Sequence, residues 1–329
     1  MSSILHFETL TKIRIILSQV VMLKRSCTDL TKIPKEKVRQ WLSTIESVIF
    51  DADGVLWHLN LPIDGAVETL NIIKSTGRQT FVVTNHSGLL TQELAQKATQ
   101  FGFDLQEGQM LSSSVSVAKF LGSKGFKKKA YIVGEPALVG ELAKENICSF
   151  LVPKEKLLQP MEQFAKDMHL DPEVGAVVIG KDEGFNVPKI IRASSYLQDP
   201  NVLFLGTCLD TAYPVGKDRI IVGAGAMVAS IKAITGRKPL ILGKPNPWMI
   251  DQLLQSGKLK PESTLMVGDT LYTDMLFASN CGFQSLLVGT GVSTLKDVRL
   301  CRNCEEQQKR EMLPDTYLPS LAHLQEFLC

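Results

Sequence analysis

Short apolar runs alternate with amphipathic stretches along most of the chain. The apolar runs predict β-strands at 47–50, 80–84, 129–134, 175–180, 201–207, 239–243, 263–269 and 285–291. Between them, stretches such as 64–77 and 91–102 carry apolar residues at helical spacing. Strands that are apolar throughout are buried on both faces. The alternation therefore predicts an α/β protein with a parallel sheet covered by helices on both sides.

The predicted strands are too many for one compact sheet, which indicates two domains. Strands followed by reactive side chains come from two regions, 47–88 and 239–275, whereas those in between lack such residues. We therefore predict a doubly wound parallel-sheet core with an inserted α/β domain. The predicted bounds are an N-terminal extension at 1–25, core segments at 26–112 and 238–329, and the insertion at 113–237.

Bulk composition excludes several classes of protein. The 329 residues are 44% hydrophobic and 21% charged, with a formal net charge of +2. These values are ordinary for a globular protein and give no reason to expect nucleic acid or a membrane as a partner. The seven cysteines lack regular spacing, which favours a reducing compartment and predicts a cytoplasmic protein.

The N-terminal extension is apolar but interrupted by Glu8, Lys12 and Arg14. These charges argue against a membrane-spanning helix. A mitochondrial presequence is the alternative to a cytoplasmic location, and Met22 offers a second start that would leave out the first 21 residues.

Reactive side chains follow four of the predicted strands. They are Asp51 and Asp53 after 47–50, Thr84 and Asn85 at the end of 80–84, Lys244 after 239–243, and Asp269 with Asp274 after 263–268. In open parallel sheets, ligands bind beyond the carboxyl ends of the strands. If the four strands are neighbours, these carboxylates, the hydroxyl and the ammonium meet at one point.

This set of side chains suits phosphoryl transfer. One carboxylate can attack phosphorus and form an aspartyl-phosphate, while a second, protonated carboxyl group serves as acid and then as base. Carboxylates that are so close together need a cation, and Mg²⁺ prefers oxygen ligands. Lysine, a hydroxyl group and backbone amides can hold the remaining phosphate oxygens.

The motifs "DADGVLW", "VVTNHS", "LGKPNPWM" and "GDTLYTDM" resemble the four motifs of the haloacid dehalogenase superfamily. More narrowly, they resemble its capped p-nitrophenylphosphatase branch, which contains phosphoglycolate and pyridoxal phosphate phosphatases. The resemblance runs from about Leu30 to the C-terminus. It implies a Mg²⁺-dependent phosphatase for small-molecule phosphate esters, with the inserted domain as a cap over the substrate. It also leaves open a homodimer formed through the cap.

The resemblance implies a role for each motif residue. Asp51 would be the nucleophile and Asp53 the acid/base. Asp51, the backbone carbonyl of Asp53 and Asp269 would hold Mg²⁺, with Asp274 orienting metal-bound waters or Lys244. The groups that would bind phosphate are Thr84, Asn85 and Lys244.

Substrate-reading positions depart from the family pattern. The family often has a second Asn where this chain has His86, followed by a basic residue where it has Leu89. In the cap, "GTCLDTAYP" has Cys208 at a position often held by Asn, although Asp210 remains. We expect His86, Asp182 and Asp210 to contact substrate, and we expect these departures to weaken discrimination in favour of phosphoglycolate.

Three other functions use similar residues. A response-regulator receiver domain is shorter and has its acid pair before the phosphoacceptor, so the motif order disfavours it. A phosphomutase or phosphotransferase would use the same intermediate and stays open. A catalytically weak or non-catalytic phosphate-binding member of the same fold is the alternative from another class, although Asp51 and Asp269 are both present.

Overall fold

The computed structural model describes residues 24–152, 156–215 and 218–328. Most of the predicted N-terminal extension, including Met22, lies outside the described residues. None of the described helices combines the length and apolar character that crossing a bilayer requires. Internal contacts divide the chain into two units. Unit 1 holds the described residues of 24–83, 98–104 and 251–328, and unit 2 holds those of 84–97 and 105–250.

The strands and helices follow one another in the predicted alternation. The strands are β1 (Thr28–Asp29), β2 (Ser47–Phe50), β3 (Trp57–His58), β4 (Leu61–Pro62), β5 (Gln79–Thr84), β6 (Met110–Ser112), β7 (Lys129–Val133), β8 (Ser149–Leu151), β9 (Val174–Ile179), β10 (Leu203–Gly206), β11 (Ala212–Pro214), β12 (Ile220–Val222), β13 (Leu240–Ile241), β14 (Thr264–Gly268), β15 (Gln284–Val288) and β16 (Thr316–Leu318). The helices are α1 (Lys35–Leu42), α2 (Ala66–Ser75), α3 (Thr91–Gln100), α4 (Ser113–Ser123), α5 (Pro136–Lys144), α6 (Met161–Asp167), α7 (Val187–Tyr196), α8 (Ala224–Thr235), α9 (Asp251–Gln255), α10 (Leu276–Cys281), α11 (Leu295–Arg302) and α12 (Gln307–Glu311). Short 3-10 helices lie at Leu30–Lys32, Glu107–Gln109, Pro247–Ile250, Pro261–Ser263 and Leu321–Phe327.

Unit 1 contains a parallel sheet in the order β1-β16-β15-β14-β2-β5. All residues of β2, β14 and β15 are buried, as expected for strands covered on both faces. The predicted α/β fold with a parallel sheet is confirmed. β14 and β2 are direct neighbours, and their register pairs Val267 with Phe50. This pairing brings the residues that follow the two strands to the same edge of the sheet.

Unit 2 has its own parallel sheet, in the order β13-β10-β9-β7-β8. Alternate residues of its strands enter two different apolar clusters. Tyr131 and Val177 belong to the cluster that also contains residues of α7 and α8. Ile132 and Val178 belong to the cluster that contains residues of α4 and α5. Because side chains alternate along a strand, this sheet has one cluster on each face.

The structure corrects two details of the predicted strands. The strand before Lys244 was expected in the same group of neighbouring strands as β2, but β13 instead pairs with β10 at the edge of the unit 2 sheet. An apolar run specifies a strand without specifying its partner, and Leu242 packs in the same cluster as Leu205 of β10. The run predicted as a strand over 285–291 ends at Val288, and Gly289 begins a loop.

The contact-based units also differ from the predicted domain bounds. Residues 84–97, 105–112 and 238–250 fall in unit 2, whereas the sequence placed all of them in the core. The predicted cap over 113–237 lies entirely within unit 2. Thr84, Asn85, His86 and Lys244 therefore belong to unit 2, and the paired aspartates belong to unit 1.

Candidate active site

Three aspartate carboxylates of unit 1 lie together beyond the ends of β2 and β14. Asp51 directly follows β2, and its backbone N–H donates to the carbonyl of Val267 at 2.9 Å. Asp269 directly follows β14. Carboxylate oxygens of Asp51, Asp269 and Asp274 lie within 4.8 Å of one another. The neighbouring strands thus deliver Asp51 and Asp269 to one point, as the sequence predicted for these two residues.

Asp274 is held by the loop that follows β14. It lies in a π-helical turn, Leu271–Met275, and is fully buried. Its Oδ2 accepts hydrogen bonds from the backbone N–H groups of Asp269 and Thr270, both at 3.1 Å. A Cβ atom on Gly268 would lie 2.2 Å from that of Asp274, so only glycine fits at the end of β14. This fixing of the loop backbone is a role of Asp274 that the sequence did not predict.

Asp269 is fixed by groups from three segments. Its Oδ1 accepts from the hydroxyl of Thr270 at 3.0 Å, and its Oδ2 accepts from the backbone N–H of Val292 at 2.7 Å. A Cβ atom on Gly291 would lie 1.8 Å from Oδ2, and one on Gly54 would lie 2.5 Å from the same atom. Gly54 also has a φ of +87°, in the left-handed region that favours glycine. Both glycines are therefore needed for the position of Asp269.

Gly291→Ala is expected to displace the Asp269 carboxylate and the loop beside it, because the added Cβ atom would lie 2.4 Å from the Cβ atom of Asp269. Substituting a residue that orients a metal ligand typically weakens metal affinity by 10- to 100-fold. We therefore expect the half-saturating Mg²⁺ concentration to rise by roughly tenfold or more. The measurement is Mg²⁺ titration of phosphate release. Gly108→Ala is the matched control, because a Cβ atom there meets nothing within 4 Å. An unchanged Mg²⁺ requirement in Gly291→Ala would show that this loop does not position Asp269 for metal binding.

The three carboxylates form a group that could hold a metal ion. All three are at least nine-tenths buried. Two such charges 4.8 Å apart repel by about 3–4 kcal/mol at an effective dielectric constant of 20. Oxygen ligands of one Mg²⁺ ion lie about 3–4 Å apart, so the cluster has the right scale for this ion. Among the described residues, no other group of three Asp, Glu, His or Cys side chains meets the same distance criterion.

Asp53 lies two residues beyond Asp51 but is not part of this carboxylate cluster. It is half-buried. The segment around it is a tight turn, in which Gly54 N–H donates to the carbonyl of Trp57 at 2.8 Å and Trp57 N–H donates to that of Ala52 at 3.2 Å. The turn therefore leaves the Asp53 side chain half-buried, whereas Asp51 is buried. Two carboxyl groups in unlike surroundings suit two different chemical roles.

In unit 2, Asn85 fixes the backbone of Lys244. Its Oδ1 accepts from the Lys244 N–H at 2.7 Å, and its Nδ2 donates to the Lys244 carbonyl at 3.2 Å. The same Nδ2 donates to Oδ2 of Asp210 at 3.0 Å. All three residues are buried, with Lys244 only 2% exposed. Asn85 and Asp210 thus form a support for Lys244, a role that the sequence analysis missed because the partners are distant in sequence.

The loop after β5 is fixed locally around His86. Thr84 Oγ1 accepts from the backbone N–H of His86 at 3.1 Å, and His86 Nδ1 accepts from that of Gly88 at 3.2 Å. Because the Gly88 N–H is a donor, Nδ1 carries no proton in this arrangement. Leu90 packs against α5, since a Cβ atom on Gly140 would lie 2.7 Å from its Cδ2.

Asp182 and Cys208 are both buried in unit 2. Asp182 forms an ion pair with Lys189, and its Oδ1 accepts from the backbone N–H of Gly184 at 2.8 Å. Burial, and secondarily the nearby Asp210, raises the pKa of the Cys208 thiol to about 12. Cys208 is therefore a neutral thiol at pH 7, and thiolate chemistry is excluded there. The ion pair gives Asp182 a structural task in addition to its predicted contact with substrate.

The acidic residues of unit 1 define the candidate site. One carboxylate, that of Asp51, follows β2, and the pair Asp269 and Asp274 follows its parallel neighbour β14, so three carboxylates meet at one edge of the sheet. That Thr84, Asn85 and Lys244 meet these carboxylates stays a prediction from the motif order.

Comparison with known proteins identifies the family. Residues 48–148 match the family described as haloacid dehalogenase-like hydrolase, and residues 241–324 match a second hydrolase family of the same type. Human glycerol-3-phosphate phosphatase is 33% identical over 89% of this chain and 94% of its own. The chain therefore belongs to the haloacid dehalogenase-like hydrolase family, in its capped phosphatase branch.

Two solved structures support the same assignment. The 4-nitrophenylphosphatase from Thermotoga maritima is 26% identical, with a TM-score of 0.69 over 86% of this chain and 97% of that one. A glycerol phosphate phosphatase from Mycobacterium tuberculosis, solved in complex with magnesium, is 25% identical, with a TM-score of 0.68 over 85% of this chain and 77% of that one. These relatives are phosphatases, that is, phosphoric monoester hydrolases, and this is the class of enzyme to which the chain belongs.

Proposed function

We propose that the protein is a Mg²⁺-dependent phosphatase that hydrolyses small-molecule phosphate monoesters through an aspartyl-phosphate on Asp51. The observation that carries this proposal is the buried cluster of Asp51, Asp269 and Asp274, with oxygens within 4.8 Å of one another. Such a cluster needs a hard cation, and a cation there also neutralises the charge of a phosphate that approaches Asp51. The ion would be held by Asp51, Asp269 and the backbone carbonyl of Asp53, with Asp274 fixing the loop behind them.

Asp51 and Asp53 divide the chemistry between them in this mechanism. Asp51 attacks phosphorus while the bond from phosphorus to the ester oxygen breaks, and the carboxyl proton of Asp53 passes to the leaving alcohol. A water molecule then attacks the phosphorus of the aspartyl-phosphate, and Asp53 takes one of its protons. Asp51 is released as a carboxylate together with inorganic phosphate, so atoms and charges balance over the two steps.

We assign phosphate binding to Lys244, Thr84 and Asn85, as the family resemblance implies. Lys244 supplies a positive charge, and its backbone is fixed from both sides by the Asn85 amide. A fixed cation stabilises developing charge better than a mobile one, because no reorganisation is needed during the reaction. The hydrogen bonds that Asn85 makes with Lys244 and Asp210 therefore favour a positioning role for Asn85, in addition to its proposed contact with phosphate.

The proposed substrates are small phosphate esters, because relatives are named for glycerol phosphate and for 4-nitrophenyl phosphate. The loop at His86 to Leu90 offers no lysine or arginine side chain, and Leu90 packs inward against α5. An extra carboxylate, as in phosphoglycolate, would therefore lack a cation from this loop. We propose measurable hydrolysis of p-nitrophenyl phosphate with little preference for phosphoglycolate.

A screen of phosphate release tests the proposed function. The substrates are glycerol 3-phosphate, p-nitrophenyl phosphate, phosphoglycolate and pyridoxal phosphate, each assayed with Mg²⁺ and with excess chelator. We expect turnover that requires Mg²⁺. Turnover that persists in chelator would contradict the metal assignment. Saturable binding of these esters without any phosphate release would instead favour the non-catalytic alternative.

Asp53→Asn separates the proton-transfer role from the nucleophile. General acid catalysis contributes about 10²–10⁴-fold to a rate, and an alkyl leaving group needs the proton far more than 4-nitrophenolate does. We expect a larger loss in the first step with glycerol 3-phosphate than with p-nitrophenyl phosphate, measured as the ratio of kcat/KM values. Near-wild-type rates on both esters would exclude Asp53 from the mechanism.

A further inference from the structure

The loop after β9, residues 180–186, lies at the carboxyl end of the unit 2 sheet. Ligands of open parallel sheets bind at this edge. The loop also contacts the loop after β5, because the backbone N–H of Lys181 donates to Oγ of Ser87 at 3.0 Å. Ser87 is two positions from Asn85, a span of at most about 7 Å. The loop after β9 is therefore within reach of the alcohol part of a small ester whose phosphate binds, as proposed, to Asn85 and Lys244.

The loops after β5, β9, β10 and β13 pack closely together at this edge. A Cβ atom on Gly180 would lie 3.1 Å from Oγ of Ser87 and 3.4 Å from the methyl carbon of Thr207. A Cβ atom on Gly243 would overlap the carbonyl oxygen of Thr207 and lie 2.5 Å from Oδ1 of Asn85. Because the packing leaves so little space, one loop cannot shift without moving the others. The position of the loop after β9 is thus tied to that of Asn85.

Asp182 holds the loop after β9 in one conformation. Its buried carboxylate forms an ion pair with the buried Lys189 and accepts from the Gly184 N–H at 2.8 Å. The next residue is held as well, because the Glu183 N–H donates to Oε1 of Glu135 at 2.8 Å. A loop that is already fixed loses little conformational freedom when it binds a ligand.

Lys181 and Glu183, on either side of the buried Asp182, form an accessible ion pair. Nζ of Lys181 lies 3.2 Å from Oε1 of Glu183, and the two side chains are 28% and 76% exposed. An ion pair with this much access to water is weak, so a ligand can share it. An ammonium group and a carboxylate each offer several hydrogen-bonding positions. The pair therefore keeps donors and acceptors for a ligand.

An ammonium group beside a carboxylate suits a neutral alcohol that carries further hydroxyl groups. Each hydroxyl group can accept from the ammonium of Lys181 and donate to the carboxylate of Glu183. Glu135, half-buried beside the same loop, adds a second carboxylate. These three side chains together carry one positive and two negative charges. A carboxylate on the alcohol part of an ester would therefore be repelled here.

We propose that the ion pair of Lys181 and Glu183 determines specificity for the alcohol part of the substrate. It selects phosphate esters of small neutral polyols over esters that carry a carboxylate. This inference rests on the proposed function, which binds the phosphate end of the ester at Asn85 and Lys244. It goes further because it assigns recognition of the alcohol to two residues outside the four motifs. Neither residue takes part in bond breaking.

The test compares Lys181→Met and Glu183→Gln with the wild type. Both changes keep the approximate size of the side chain and remove its charge. Each protein is assayed in Mg²⁺ with glycerol 3-phosphate, phosphoglycolate and p-nitrophenyl phosphate, and the first two kcat/KM values are divided by the third. The third ester is the reference, because its alcohol part has neither a further hydroxyl group nor a carboxylate. Lys166→Met and Glu162→Gln are the matched controls, since these residues form an exposed ion pair on α6 of the same unit.

We expect Lys181→Met to lower the glycerol 3-phosphate ratio by about tenfold, the lower end of the usual loss for a hydrogen bond to a charged group. Glu183→Gln removes the carboxylate beside Lys181, so the phosphoglycolate ratio should rise several-fold and the glycerol 3-phosphate ratio should fall. The rise should disappear at high ionic strength, because salt screens exposed charges. The two control variants should keep both wild-type ratios.

Unchanged ratios in Lys181→Met and Glu183→Gln would overturn the proposal. An equal fall with all three esters would also overturn it, because that result would indicate a structural role for the pair.

Ester binding to the Asp51→Asn protein separates this proposal from the proposed function. The dissociation constants of the same three esters are measured by isothermal titration calorimetry in that background, with and without each change at Lys181 and Glu183. We expect the same order of effects as in the kinetic ratios. That order, combined with no turnover by the wild type, would contradict the phosphatase mechanism alone. Binding ratios that neither change alters would overturn the specificity proposal alone, and failure of all three esters to bind would contradict both.

Discussion

Asp51→Asn is expected to abolish phosphate release while leaving the fold intact. The substitution keeps the shape of the side chain but removes the charge that attacks phosphorus. Loss of a catalytic nucleophile commonly costs several powers of ten, so we expect kcat to fall by at least about a thousandfold. The measurement is Mg²⁺-dependent hydrolysis of p-nitrophenyl phosphate, with the far-ultraviolet circular dichroism spectrum and melting temperature recorded on the same samples.

Asp64→Asn is the matched control, because Asp64 is an exposed carboxylate of the same unit. It changes the net charge by the same amount and should keep wild-type activity. Replacing Asp51 also removes one charge from a repelling cluster of three, so the metal-free Asp51→Asn protein should not lose stability through charge repulsion. Substantial turnover by a folded Asp51→Asn protein would exclude Asp51 as the nucleophile.

Asp269→Asn is expected to have the second-largest effect, through the loss of Mg²⁺ binding. Changing groups that only orient a metal ligand already costs about 10- to 100-fold in affinity, and here a proposed ligand itself loses its charge. We expect the half-saturating Mg²⁺ concentration to rise by about a hundredfold or more, with activity at low Mg²⁺ lost.

Thermal unfolding reports the same loss without any substrate. A ligand that binds only the folded protein stabilises it, and raises its melting temperature, by an amount that grows with the logarithm of the ratio of its concentration to the dissociation constant. Mg²⁺ should therefore raise the melting temperature of the wild type and of Asp64→Asn, and it should raise that of Asp269→Asn far less. If Mg²⁺ raised the melting temperature of Asp269→Asn as much as that of the wild type, Asp269 would not be a metal ligand.

The local part of the fold could be predicted from the sequence. The runs 47–50 and 263–268 have apolar centres, at 48–50 and 265–267, and are flanked by charged residues, so strand type and sheet class followed from them. The position of Asp51 and Asp269 also followed, because each comes directly after such a run. The partner of β13 did not follow, since its two residues carry no signal that separates one parallel sheet from another.

The supports of the candidate site depend on contacts that are distant in sequence. Gly54 and Gly291 both lie against Asp269, and Thr290 donates to the carbonyl of Gly54 at 2.6 Å. Asn85 contacts Lys244, 159 positions away. A motif identifies which residues are chemically suited to a task, but it does not reveal which other residues hold them in place. The loop at 289–294 could have been noticed only from its glycines and hydroxyl residues, "GTGVST".

The most direct test of the proposed mechanism is to trap the aspartyl-phosphate. Wild-type protein is mixed with Mg²⁺ and a phosphate ester, quenched in acid during turnover, digested, and mapped by mass spectrometry. We expect one added phosphoryl group on the peptide that contains Asp51. Hydroxylamine should remove this group, and the Asp51→Asn protein should lack it. A phosphoryl group on any other residue during turnover, or active turnover without phosphorylated enzyme under conditions that trap a related phosphatase, would contradict it.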